Sequence, residues 1–182
     1  MKNLVKVLFA AFVLVAVSSG AFAQTDASVT ANVVTTLTVT KNADIKFGQI
    51  STGTAPVLSA DSDTKTAVGS NASLGKFTVT GTAGATVKVS YAAVTLLNGV
   101  NGVDGELTFT PSVYRTELTA ATFGDIALPS EQTYTINSSI SDAVPGTDHI
   151  FIGGILGTIP ALSDTFKAGT YTGTFTLIAT YN

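Results

Sequence analysis

From Gly169 to Tyr181 the chain alternates in side-chain character. Tyr171, Gly173, Phe175, Leu177, Ala179 and Tyr181 fall on one parity; Thr170, Thr172, Thr174, Thr176 and Thr180 fall on the other, with Ile178 the exception. Successive side chains of a strand point to opposite faces, so this pattern specifies a β-strand with one buried face. Val29 to Val39 repeats it: Val29, Ala31, Val33, Thr35, Leu37 and Val39 sit on one parity, opposite Thr30, Asn32, Val34, Thr36 and Thr38, which are polar except for Val34. That predicts a long half-buried strand near the start of the folded domain.

Shorter alternating runs lie between these two. Phe77 and Val79, then Val87, Val89 and Tyr91, then Leu107 and Phe109, and Tyr134 with Ile136, all flank threonines or other polar residues. Ile45, Phe47 and Ile50 form a short apolar group beside Gly48, and Ile150 to Leu156 is continuously apolar, as a strand covered on both faces would be. Gly53, Gly69, Gly81, Gly84, Pro129, Pro145-Gly146 and Pro160 punctuate the runs. Short strands between dense turn signals predict an all-β antiparallel sandwich, because parallel βαβ units would need helical spacers. Only Thr116 to Leu128 suggests a short helical turn.

The first 23 residues have a different character. Lys2 and Lys6 precede an unbroken apolar run, Val7 to Val17, and Ala21-Phe22-Ala23 follows. This is the pattern of a secretory signal peptide cleaved before Gln24, and the run is shorter than the roughly 20 apolar residues a membrane span requires. The expected organisation is a signal peptide at 1–23 and a single domain at 24–182, exported to the periplasm, the cell surface or the exterior, without membrane insertion.

The signal carries two of the nine Lys+Arg, so the mature chain has seven basic residues against twelve acidic ones. That balance argues against nucleic acid as a partner, since phosphates would meet no basic patch. No cysteine is present.

Catalytic groups are scarce, and the chain reads as a non-enzyme. His149 is the one histidine and Arg115 the one arginine. Asp148-His149 raises a Ser-His-Asp arrangement, but no nucleophile-elbow motif accompanies it, and His149 reads as a polar residue at a strand edge. A histidine metal site would need a second His or Cys. No catalytic residue, metal site or cofactor is therefore assigned. The loop Asn98 to Glu106 holds three Asn-Gly or Asp-Gly pairs, strong turn formers. Its alternative is a calcium loop using Asn98, Asn101, Asp104 and Glu106, although the spacing fits no EF-hand. Asp61-Ser62-Asp63 offers a similar cluster, and a monomeric module binding glycan or calcium is the alternative reading of the whole chain.

The two terminal strands resemble those of pilin subunits assembled by the chaperone–usher route. The resemblance rests on Gly169 fourteen residues from the end, the alternating apolar residues after it and the penultimate Tyr181. It implies a groove beside the last strand, filled first by a periplasmic chaperone and then by the N-terminal strand of another subunit. In this chain residues 24–40 would supply that donor strand, through Val29, Ala31, Val33, Leu37 and Val39. Over most of the mature chain the sequence is also similar to the bacterial secreted family catalogued as domain of unknown function 4402. The matching pieces are Leu37 to Val39 with Ile45 to Ile50, Gly75 to Gly81, Phe151 to Leu156 and Gly169 to Leu177. That resemblance implies an immunoglobulin-like, pilin-like antiparallel sandwich with Greek-key connections, and a surface or adhesive role in a fimbrium-like assembly of identical or related subunits. Many pilins carry a disulfide, which this chain lacks. Both terminal strands are equally compatible with a self-contained sandwich in which they pair within one chain.

Overall fold

The structure is a computed structural model, and it describes residues 30–62, 64–99, 102–118, 121–138 and 144–182. The expected signal peptide and Val29 lie outside the described residues. The chain divides into residues 1–33 and residues 34–182; in the first unit residues 30–33 are exposed and form no strand.

The second unit is all-β, with two antiparallel sheets. Among its described residues eleven strands run: β1 (Thr38–Ala43), β2 (Val57–Leu58), β3 (Lys65–Thr66), β4 (Gly75–Thr80), β5 (Thr86–Ser90), β6 (Val94–Leu97), β7 (Glu106–Thr116), β8 (Ile126–Ala127), β9 (Thr133–Thr135), β10 (Thr147–Leu156) and β11 (Ile178–Tyr181). Eight belong to one sheet, in which β1, β4, β10 and β7 are successive neighbours and β6 flanks β7. The other sheet has three strands in the order β11-β5-β9.

Strand β10 is the centre of the larger sheet, pairing with β4 and β2 on one side and β7 on the other. Its inward residues Ile150, Ile152 and Leu156 are buried against Val79, Val89 and Val113. Its outward Phe151 is buried as well, with the Lys76 ammonium 5.1 Å from the ring centroid. Cover on both faces accounts for the apolar run as far as Gly154, whereas Ile155 is exposed at 48%. At Gly153 a Cβ would lie 2.1 Å from the Leu58 carbonyl oxygen. Gly153→Ala is therefore expected to cost about 1–3 kcal/mol through forced displacement of the β2 backbone, read as a lower urea midpoint.

Three local expectations change. The strand expected at 29–39 forms instead at Thr38–Ala43, where β4 lies alongside it. Of the alternating C-terminal run, only Ile178–Tyr181 is in a ladder, with β5, and Thr172 makes an isolated bridge to Leu97. Alternation reports which face of a segment is apolar; it does not supply a neighbour for the backbone. Finally, Thr116 to Leu128 contains the short strand β8 and no helix among its described residues.

Candidate functional site

The smaller sheet leaves part of the larger one uncovered, and a slot opens there. One wall is β1 with the chain that follows it. Among the described residues strand β1 pairs with β4 alone, and its outer edge carries no ladder. The other wall is the C-terminal segment running antiparallel to β1. Among the described residues strand β11 likewise pairs with β5 alone, and residues 173–177 are in no strand.

Each end of this wall is fixed. At the far end Leu97 and Thr172 exchange backbone hydrogen bonds of 2.8 and 3.0 Å, and the Tyr171 hydroxyl donates to the Lys167 carbonyl at 2.8 Å. Phe166 stacks on Tyr171 with centroids 5.1 Å apart. At the near end the Thr82 amide donates to the Tyr181 hydroxyl at 2.8 Å, and that hydroxyl donates to the Thr35 carbonyl at 2.9 Å.

Between them lies a cavity of about 410 Å³ whose lining includes Ile45, Phe47, Phe77, Val94, Leu96 and Phe109. A second cavity of about 890 Å³ shares Ile45, Phe47, Leu96, Tyr171 and Thr172 with it and continues past Leu107, Leu156 and Ile159. The floor is largely aromatic: Phe47 meets Phe109 edge-on at 5.6 Å, and Phe175 lies 6.1 Å from Phe77 and 5.9 Å from Tyr91. The rim is charged. Lys41 and Asp44 pair at 2.7 Å, both well exposed, and the Lys41 hydrogen bond and charge hold the Asp44 carboxyl below its ordinary value. Lys167 pairs with Asp104 at 2.7 Å.

An apolar trough between two unpaired strand edges suits an extended peptide. Such a peptide offers backbone donors and acceptors to both edges, and every second side chain enters the trough.

The residues of the C-terminal motif share this region. Tyr171, Phe175 and Ala179 pack against the core, Leu177 is part of it, and Gly173 lines the slot. A Cβ at Gly169 would meet the Asn98 side chain at 2.5 Å. The donor residues separate. Leu37 packs against the core, whereas Val39, although its backbone pairs with Val79 in the β1–β4 ladder, is exposed. Ala31 and Val33 are exposed, Val33 at 89%. The sequence did not single out Val94 or Leu96 of β6; their only signal is apolar character.

The chain's one arginine lies elsewhere, between the sheets. Register places Arg115 of β7 opposite Ile150, on the inward face that also carries Asp148. The Arg115 guanidinium lies 3.2 Å from Glu117 and 3.4 Å from Asp148, and 4.8 Å from the centre of the Tyr134 ring on β9. Asp148 is fully buried, and burial pushes its carboxyl up to about 6 despite the arginine. Burial likewise raises the Tyr134 hydroxyl. Asp148 is thus an interior residue and not a strand-edge one. His149 falls on the opposite face, with Nδ1 3.3 Å from the Thr78 hydroxyl, so the two neighbours do not form a dyad. Burial, and after it the Lys76 charge, holds the imidazole below its ordinary value.

In the Asn98 to Glu106 loop, Asn98 is buried and donates to the Lys167 carbonyl at 3.2 Å, while Asp104 is occupied by Lys167. Val100, Asn101 and Asp63 lie outside the described residues. Among the described residues no three His, Cys, Asp or Glu gather as a metal site, and no helix is long and apolar enough to cross a membrane. Comparison with protein-family models, with curated proteins and with solved structures returns no match.

Proposed function

We propose that this is a non-enzymatic, exported structural subunit of a fimbrium-like surface polymer, assembled by β-strand donation with an immunoglobulin-like sandwich as its body. The slot between β1 and residues 171–178 receives the N-terminal extension of a second copy, with Val29, Ala31 and Val33 entering the trough. A periplasmic chaperone strand would occupy the same slot before assembly. The observation that carries this reading is the pair of unladdered strand edges flanking an aromatic-floored slot. A strand placed there completes hydrogen bonding on both sides and removes the exposed apolar floor from water, at roughly 25 cal/mol per Å².

The cysteine-free sequence makes the test clean. Mature chains carrying Val33→Cys are refolded together with chains carrying Leu96→Cys, under mild oxidation. Strand donation predicts a disulfide-linked heterodimer, resolved by mass from either homodimer. Ala31→Cys in place of Val33→Cys covers a one-step change of register on the same strand face. If neither mixture yields heterodimer, the reading is wrong.

A further inference from the structure

We propose that the Tyr181 hydroxyl is a directional clasp, which fixes the root of the N-terminal extension so that strand exchange occurs between chains and not within one. The inference rests on the strand-donation reading above and concerns its regulation.

The geometry begins with register. Thr38 lies opposite Thr80 in the β1–β4 pair, and Thr35 bonds Thr82, its amide donating to the Thr82 hydroxyl at 2.7 Å. Residues 35–37 therefore continue the line of β1 beyond the end of the ladder, away from the slot beside residues 41–47. Tyr181 locks them there: its hydroxyl accepts from the Thr82 amide and donates to the Thr35 carbonyl. Gly81 completes the lock, because a Cβ there would lie 2.6 Å from the Tyr181 oxygen and 2.9 Å from Leu37.

For an extension to enter its own slot, the chain before Thr35 would have to reverse direction at once. The residues available for that reversal are Val33, Val34, Thr35 and Thr36. All four are β-branched, poorly suited to the positive φ that tight hairpin turns require. With Thr35 held on both its amide and its carbonyl, no slack remains. Releasing the clasp frees Thr35 to Leu37 to extend the turn, and self-filling becomes accessible.

The test uses the mature chain with Val33→Cys and Leu96→Cys together, with and without Tyr181→Phe. Phenylalanine keeps the ring and removes both hydroxyl bonds. The clasp predicts interchain disulfides in the parent and a rise of about tenfold in the ratio of intrachain to interchain product in the variant, the scale of one to two lost hydrogen bonds. Thr82→Val removes the other half of the clasp without touching β11; it is expected to act in the same direction and serves if Tyr181→Phe does not fold. An unchanged ratio in both variants overturns the clasp and leaves strand donation standing. An intrachain product in the parent also overturns the clasp. If the parent gives no disulfide of either kind, the pair is moved to Ala31→Cys with Leu96→Cys; no disulfide from that chain either overturns the clasp and the strand-donation reading together.

Discussion

Arg115→Ala is expected to destabilise the sandwich by about 3–5 kcal/mol at pH 7.5, because it leaves a buried carboxylate without its cation. Arg115 is 11% exposed and Asp148 0%, so water cannot take the arginine's place. For a domain of this size the loss corresponds to a fall in Tm on the order of 10 °C. Arg115→Ala combined with Asp148→Asn should recover part of it, since the residue left behind is then neutral. A loss below about 1 kcal/mol for Arg115→Ala would show that the pair is solvated in solution.

The same cluster sets an unusual pH dependence. Burial pushes the Asp148 carboxyl up to about 6 in the folded chain, above the ordinary aspartate value of 3.8. Between these values the native state keeps a proton that the unfolded state has released, so stability falls as pH rises through this window. The cost of ionising Asp148 is absent below about pH 4 and complete above about pH 6. Wild-type protein should therefore unfold at higher urea at pH 5 than at pH 7.5, by about 1 kcal/mol, since only the part of the window between pH 5 and about 6 is crossed, and Asp148→Asn should flatten that difference. Arg115, Glu117 and Tyr134 face Asp148, and the penalty of Arg115→Ala should shrink at pH 5, where Asp148 is neutral. A wild type that loses stability on acidification from pH 7.5 to 5, with Asp148→Asn behaving identically, would contradict this.

Leu96→Glu carries the second large effect. Leu96 lines both cavities of the slot and is only partly buried while the slot is open. A carboxylate there should cost the isolated chain only about 1 kcal/mol. Once a strand covers it, the same carboxylate is buried without a partner, a penalty of several kcal/mol. Assembly should weaken by at least about 100-fold, read by sedimentation velocity across concentration, with the unfolding midpoint nearly unchanged. Unaltered assembly would show that the slot is not where chains meet.

The all-β class was legible because threonine-flanked alternation and Gly/Pro punctuation act locally. The ladder was not. Residues 173–177 alternate as clearly as residues 178–181, yet only the latter meet β5, and nothing in either run encodes the missing neighbour. The same holds at the start of the domain. Val33 and Val39 share one pattern, but Val39 pairs with Val79 of β4 whereas Val33 is in no strand. The slot is a tertiary property: it exists because three strands cover part of a sheet of eight. The Arg115–Asp148 pair was hidden for a similar reason, since its members are 33 residues apart and meet only through the β7–β10 register.

Strand donation is tested most directly by removing the donor alone. Chains 24–182 and 34–182 are compared by sedimentation and on SDS gels without heating; the cut before Val34 keeps Thr35, Leu37 and β1. Strand donation predicts a ladder of heat-sensitive multiples for the longer chain and a single monomer for the shorter one. Monomers from both chains, or equal ladders from both, would contradict it.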